Sequence, residues 1–190
     1  MIDNRTTQLF RFSPARFLAA AGLLLVFAGT LGAQENLAAV FEEVEGTVEI
    51  QLAGESWQPA EVGDAVAVDA RVSTGFGASA VIAIGENSTI TVDSLTRIGI
   101  RELAREEGVE RSDMDLEIGR IEGDVRSAEA DSTEFNVSSP VATASVRGTS
   151  FSFDGEELSV AEGSVSLSNA LGQQTTVGAG EESSTNGVTA

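Results

Sequence analysis

Apolar and polar residues alternate along most of the chain after residue 44, which is the pattern of strands that bury one face. In the segment 47–52, for example, Val48, Ile50 and Leu52 fall on one face. The same period of two recurs in six further segments, at 90–92, 97–100, 114–118, 134–137, 150–153 and 164–167. Each segment is bounded by Gly, Asp, Asn or Ser, which favour turns. Short strands without helical periodicity between them predict an all-β fold.

Two segments interrupt this alternation. The segment 101–113 carries eight charged residues, and this density predicts a solvated loop or a short turn of helix. The chain from residue 178 onwards is rich in Gly, Ser and Thr, which predicts a frayed end with a flexible tail at 182–190.

The N-terminal 33 residues have the order of a signal peptide. Three arginines precede an uncharged, largely apolar segment at 17–34 that ends in small residues. The sequence therefore predicts a leader over 1–33, and Leu31, which is bulky for a cleavage site, leaves an uncleaved hydrophobic helical anchor as the alternative. Either form predicts that the remainder of the chain is periplasmic or secreted.

The composition excludes several kinds of chemistry. The chain contains no His, Cys or Tyr, and its eleven basic residues are all Arg. A histidine base, a thiol nucleophile, a Schiff-base lysine and a Cys/His zinc site are therefore excluded. The sequence predicts that the protein is not an enzyme, and it predicts no catalytic residue, no cofactor and no metal site.

Charge narrows the possible partners. Beyond the leader, eight arginines face 29 acidic residues, which gives a net charge of −21. This charge excludes a nucleic-acid partner and disfavours adsorption to anionic lipid, so membrane contact is expected only through the N-terminal leader. Such acidity is typical of adaptation to salt, alkalinity or divalent cations, and equally of a soluble surface that resists association.

A four-residue motif occurs three times in the chain and predicts turns. Segments 45–48, 122–125 and 162–165 share the pattern Glu-Gly-polar-Val. Glycine permits a positive φ or a bulge at a corner, after which the valine returns to the core. A chain that turns the same kind of corner several times predicts a short β-solenoid or, alternatively, an irregular β-sandwich.

Residues 55–100 resemble the first half of the FecR domain. This half has a Trp-x-Pro-Ala start at Trp57, a Gly-Asp turn at Gly63 and a Thr-Gly pair at Thr74 and Gly75. An apolar strand, a turn with glycine and a Ser-x-Ile-x-Val strand then follow.

Residues 135–167 are similar to the second half of that domain. The matching motifs are an Arg-Gly-Thr triplet and a Glu-Gly-x-Val segment, at Arg147, Gly148 and Thr149 and at Glu162 and Gly163. The resemblance runs from about residue 44 to 181 and implies one FecR-like domain over 34–181.

The resemblance implies a twisted, short β-solenoid. Family members include extracytoplasmic parts of anti-sigma regulators, which relay the ligand state of an outer-membrane transporter. Only sixteen residues precede the hydrophobic segment, so a cytoplasmic sigma-binding domain, and with it direct control of a sigma factor, is not expected.

Each singled-out residue has a structural and a functional interpretation. Arg147 is expected to tie a loop carboxylate or backbone carbonyls at a corner, and an anion or partner site is the alternative. Trp57 is expected to cover the core, with a binding platform as the alternative. The carboxylates at 113–115 and 154–157 do not match a calcium-binding loop and are expected to form solvated turns.

The sequence thus predicts an exported, non-enzymatic binding, sensing or signalling module of the cell envelope. Its expected partner is an envelope protein or a glycan, bound through strand edges and loops. The alternative is an acidic structural or scaffold protein of the cell surface without a specific signalling partner.

Overall fold

The computed structural model describes residues 35–106, 108–126 and 132–185, and within these ranges the chain is all-β, as predicted. The predicted leader at 1–33, including its hydrophobic segment, lies outside the described residues. Within the described ranges, no helix has the length and hydropathy needed to cross a membrane. The strands are β1 (Glu35–Asn36), β2 (Ala39–Glu45), β3 (Val48–Gln51), β4 (Gln58–Pro59), β5 (Arg71–Thr74), β6 (Ser79–Ile84), β7 (Ser88–Val92), β8 (Arg97–Glu106), β9 (Val109–Ile118), β10 (Ile121–Val125), β11 (Ser132–Ser138), β12 (Ala142–Val146), β13 (Thr149–Phe153), β14 (Glu157–Glu162), β15 (Ser164–Asn169), β16 (Gln174–Gly178) and β17 (Glu182–Ser184).

The strands form two open sheets. The larger sheet has the order β16-β15-β12-β11-β9-β8-β5-β3-β4, with β1 also paired to β8. The smaller sheet has the order β17-β14-β13-β10-β7-β6-β2. In both sheets, neighbouring strands largely follow one another in the order of the chain. Strand numbers are skipped within each sheet because the chain crosses repeatedly from one sheet to the other.

The predicted β-solenoid is not confirmed. Stacked coils of a parallel β-helix place equivalent strands in parallel. Here β9 and β11 are parallel, whereas the other neighbouring strands that the structure describes are antiparallel.

The strand ends define two rims. We call rim 1 the set of turns at 46–47, 75–78, 93–96, 119–120, 139–141, 154–156 and 170–173, which lie at one end of the strands. Rim 2 is the opposite end and includes the turns at 85–87, 147–148, 163 and 179–181.

The inward faces of both sheets share one core. It consists mainly of Val, Ile, Leu and Ala, as the alternation predicts, with four buried phenylalanines at Phe41, Phe135, Phe151 and Phe153. The rings of Phe135 in the larger sheet and Phe151 in the smaller sheet lie 6.1 Å apart. This tilted aromatic contact joins the two layers.

The prediction of a loop or helical turn at 101–113 is wrong. This segment belongs to β8 and β9, which pair as a long antiparallel hairpin. A β-bulge between Ile100 and Glu102 breaks the period of two, and two inward positions of β9 are occupied by Glu110 and Ser112. The pattern of apolar residues therefore does not reveal the strands.

Two smaller predictions also need correction. The flexible tail predicted from residue 182 is wrong for 182–184, because these residues form β17 and pair with β14. Leu52 does not join Val48 and Ile50 in the core, because β3 ends at Gln51 and the Leu52 side chain is exposed.

The Glu-Gly-x-Val segments are corners in two of three cases. Gly46 and Gly163 have φ values of 73° and 83° and lie where the chain crosses from the smaller to the larger sheet. Gly123 instead lies inside β10, so the corner predicted there is wrong. The valines that close the three segments are all buried.

Candidate functional site

The residues singled out in the sequence do not form one site. Thr74 and Gly75 lie at rim 1, whereas the segments 147–149 and 162–163 meet at rim 2. Trp57 precedes β4, and Gly63 lies in the loop between β4 and β5, where its N–H donates to the Phe41 carbonyl at 2.8 Å.

At rim 2, the buried Thr149 hydroxyl joins two successive corners. It accepts a hydrogen bond from the Ser164 N–H at 3.3 Å and lies 3.0 Å from the Ser164 carbonyl oxygen. It also lies 3.1 Å from the Arg147 carbonyl oxygen in its own corner. The Arg-Gly-Thr triplet and the Glu-Gly segment are therefore two parts of one tightly packed structural unit.

Arg147 itself points outward. Its side chain is 66% exposed, and its Nη2 lies 3.4 Å from Oε1 of Glu134 on β11. Glu134 also accepts a hydrogen bond from Nε of Arg111 at 2.9 Å, which is the main reason that the pKa of Arg111 is raised. The expected partner, a carboxylate in a loop, is thus an exposed carboxylate on a strand.

We expect Arg147→Ala and Thr149→Val to separate the exposed ion pair from the buried hydroxyl. Loss of an exposed ion pair costs at most about 1 kcal/mol. Loss of the buried Thr149 hydroxyl removes its hydrogen bonds to the backbone of Ser164 and Arg147, which costs about 1–3 kcal/mol. Urea unfolding of both variants measures this difference. A larger loss for Arg147→Ala than for Thr149→Val would contradict the assignment.

At rim 1, buried threonine hydroxyls connect three more corners. The Thr74 hydroxyl donates to the Asp93 carbonyl and accepts from the Thr96 N–H at 3.0 Å. The Thr96 hydroxyl in turn donates to the Arg120 carbonyl at 3.1 Å and accepts from the Arg120 N–H at 2.9 Å. The sequence analysis did not identify Thr96. Its position directly before the alternating segment at 97–100 is the feature that could have indicated it.

The carboxylate of Asp154 is held by its own turn. Oδ1 accepts hydrogen bonds from the N–H groups of Glu156 and Glu157, and Oδ2 lies 3.2 Å from Nη2 of Arg120. Partial burial opposes the charged form, but these hydrogen bonds and the arginine outweigh it, so the pKa of Asp154 is lowered. Within the described ranges, no group of three or more acidic residues has the arrangement of a metal site.

Trp57 lies beside an arginine, and its role as a cover of the core stays a prediction. Its ring is half-buried and lies 5.5 Å from the guanidinium carbon of Arg97, which is a cation–π contact. Trp57 and Arg97 belong to the neighbourhood of the larger sheet, where Arg97 opens β8. No pattern in the sequence predicted this pairing.

Glu110 is a buried carboxylate that sequence reasoning also missed. It is almost fully buried, its Oε1 lies 3.5 Å from Nη2 of Arg105, and its Oε2 accepts from Nδ2 of Asn87 at 3.2 Å. Its position in an inward-facing series with Met114 and Leu116 is the signal that identifies it. Glu110 therefore connects Arg105 and Asn87 from an inward-facing position of β9.

The outer face of the smaller sheet is polar around β10. Glu122 and Asp124 of β10 lie between short hydroxyl side chains of the neighbouring strands, which are Thr89, Thr91, Ser150 and Ser152. The Ser150 hydroxyl donates to Asp124 at 2.9 Å. These side chains line a shallow depression. It offers hydrogen-bonding groups to a surface partner but no enclosed site for a small substrate.

Comparisons with known proteins agree with the family resemblance. The family model described as FecR protein matches residues 70–166. This range contains Thr74, Gly75 and both motifs of rim 2, whereas Trp57 and Gly63 lie before it. A search of curated proteins found no match.

Two crystal structures of a proposed anti-sigma factor from Parabacteroides distasonis are similar to this chain. Their sequence identities are 17% and 18%, and their TM-scores are 0.48 and 0.47. Each alignment covers 59% of this chain and 52% of the other, so the chain spans about half the length of those structures.

Proposed function

Because this chain belongs to the FecR family, we propose that it is an exported, non-enzymatic module of the cell envelope that acts in sensing or signalling by binding another protein. Its exported part is the domain that follows the leader, and its partner is an envelope protein.

The main support for this proposal is that the family motifs have structural roles in the fold. Thr74, Thr149 and Gly163 are occupied in closing corners of the fold, where a substrate does not reach them. The outward faces of the strands instead carry ion pairs and short polar side chains. Such faces suit recognition of another macromolecule better than chemical conversion of a small one.

An acidic structural role is the second candidate. The net charge of −21 after the leader favours a surface component that organises cations or resists harsh solvent. A scaffold of this kind has no stoichiometric protein partner, which separates it from the sensing module.

We expect the mature protein to be outside the cytoplasm and to begin near residue 33 or 34. Cell fractionation followed by mass spectrometry of the N-terminus measures both properties. Full-length protein in the membrane fraction would select the uncleaved anchor, which is still an envelope protein. Full-length protein in the cytosol would refute export.

A further inference from the structure

Rim 1 carries a row of exposed apolar side chains along the larger sheet, four of them in its turns and the fifth, Ile118, at the end of β9 directly before the turn at 119–120. Among the described residues, the most exposed large apolar side chain is Phe76, at 92%. The other members of the row, with their exposed fractions, are Leu95 (59%), Ile118 (65%), Val141 (39%) and Leu171 (84%).

The order of the strands places these residues in a line. Phe76 follows β5, Leu95 precedes β8, and Ile118 ends β9, and these three strands are neighbours. Val141 joins β11 to β12, and Leu171 joins β15 to β16, further along the same sheet. At about 4.8 Å between neighbouring strands, the row is about 25 Å long.

Leu95 is held in this row at a cost to the fold. Its φ is 59°, a left-handed conformation that is unfavourable for a large side chain and is normally adopted by Gly or Asn. Glycine occupies comparable positions at other rim 1 turns, for example Gly77 and Gly119. An exposed leucine at a position that suits glycine indicates that its side chain is needed by something outside the fold.

Backbone carbonyls of rim 1 are already hydrogen-bonded within the domain, which disfavours the addition of a strand from a partner. The Gly75 carbonyl already accepts hydrogen bonds from the N–H groups of Leu95 and Ala78. The Val141 carbonyl likewise accepts from the Ala170 N–H at 3.0 Å. An occupant of this rim must therefore satisfy its own backbone hydrogen bonds, as an α-helix does.

Charge also selects the occupant. The rim 1 turns contain Asp93, Asp154 and Glu156 against one arginine, Arg120, which is paired with Asp154. The chain beyond the leader has a net charge of −21, so a second copy or an anionic bilayer would be repelled. A helix with basic residues beside its apolar stripe is attracted instead.

We propose that rim 1 is the docking surface for an amphipathic α-helix of the partner protein, with an apolar stripe flanked by Lys or Arg. A row of about 25 Å matches a helix of about 17 residues at 1.5 Å per residue. The inference rests on the proposed binding function and specifies the surface that performs it.

The test uses the full chain and a synthetic 18-residue peptide of Leu and Lys, with Leu at helical spacing. A second peptide of the same composition alternates Leu and Lys. Fluorescence anisotropy in 0.15 M salt is expected to show binding of the helical peptide that is at least tenfold tighter than binding of the alternating one. Equal binding of both peptides, or no binding of the helical one, would overturn the proposal.

Variants identify the surface. Phe76→Ser with Leu171→Ser is expected to weaken binding of the helical peptide at least tenfold without lowering Tm. The matched control is Val62→Ser, which removes a side chain that is 63% exposed but lies outside the row, and which should change binding less than twofold. Equal effects of the double variant and of Val62→Ser on binding would mean that the peptide is held only by electrostatic attraction. This result would refute the row as the binding site.

Leu95→Asn provides a measurement that is independent of folding. Asn tolerates a positive φ, so Tm should stay the same or rise, whereas binding of the helical peptide should weaken. Unchanged binding would contradict the proposal. Sedimentation that reveals a dimer abolished by the Phe76 and Leu171 changes would assign the row to a second copy and equally refute it. In either event a partner captured in the envelope would leave the proposed function intact.

Discussion

Replacement of Gly163 by alanine is expected to destabilise the domain by about 2–6 kcal/mol, which is a large part of the about 5–15 kcal/mol that holds a typical domain folded. Gly163 has a φ of 83°, which is unfavourable for any residue with a β-carbon. An added Cβ would also lie 2.5 Å from the carbonyl oxygen of Gly148 and 2.7 Å from the Thr149 hydroxyl. Urea unfolding measures the loss, provided that the variant folds.

Gly172→Ala is the matched control for this prediction. Gly172 has a similar φ of 76°, but no atom lies within 4 Å of the position of an added Cβ. This variant should lose only the cost of the unfavourable backbone conformation, about 1–2 kcal/mol. Equal losses for the two variants would show that the contact between the two rim 2 corners is not tight.

Gly123→Ala is expected to produce the second large loss, for a different reason. Gly123 lies inside β10 and faces the core, where an added Cβ would lie 2.3 Å from Cε1 and 2.6 Å from Cζ of Phe151. Because the Phe151 ring is buried, it has little room to move, and overpacking of this kind costs about 1–3 kcal/mol or more.

A double-mutant cycle tests the contact between Gly123 and Phe151. The loss for Gly123→Ala should be smaller in a Phe151→Leu background, because the smaller side chain makes room. Gly99→Ala is the control, since an added Cβ in that strand would meet its nearest neighbour at 3.8 Å, an ordinary contact. Strict additivity of the Gly123 and Phe151 changes would contradict the packing described here.

The strands were predictable wherever the buried face is apolar. Six of the seven alternating segments lie within strands and the seventh, 47–52, contains β3, because Val, Ile, Leu, Met and Phe occupy the inward positions of these strands. The middle of the β8–β9 hairpin, at 101–113, was not predictable, because its inward series includes Glu110 and Ser112 and a bulge shifts the period after Ile100. Periodicity is read from the types of the side chains alone. A strand with a buried polar residue or a bulge therefore lacks the pattern by which strands are predicted.

The candidate site was less predictable than the fold. The sequence identified Arg147 and Thr149 as one motif, but the fold gives their side chains different surroundings, since that of Thr149 is buried and that of Arg147 is exposed. The pairing of Trp57 with Arg97 depends on contacts between segments 40 residues apart in the chain, which spacing alone does not predict. The row of rim 1 was equally unpredictable, because its members come together only through the order of the strands in the sheet.

The most direct measurement of the central claim is crosslinking of the protein in intact cells with a reagent that does not cross the inner membrane. The account predicts a stoichiometric adduct with one envelope protein, which persists in the Arg147→Ala variant because Arg147 is neither buried nor part of rim 1. A protein that the reagent labels but that forms no stoichiometric adduct would contradict the binding role and support the acidic scaffold. A protein that the reagent does not reach would contradict export itself.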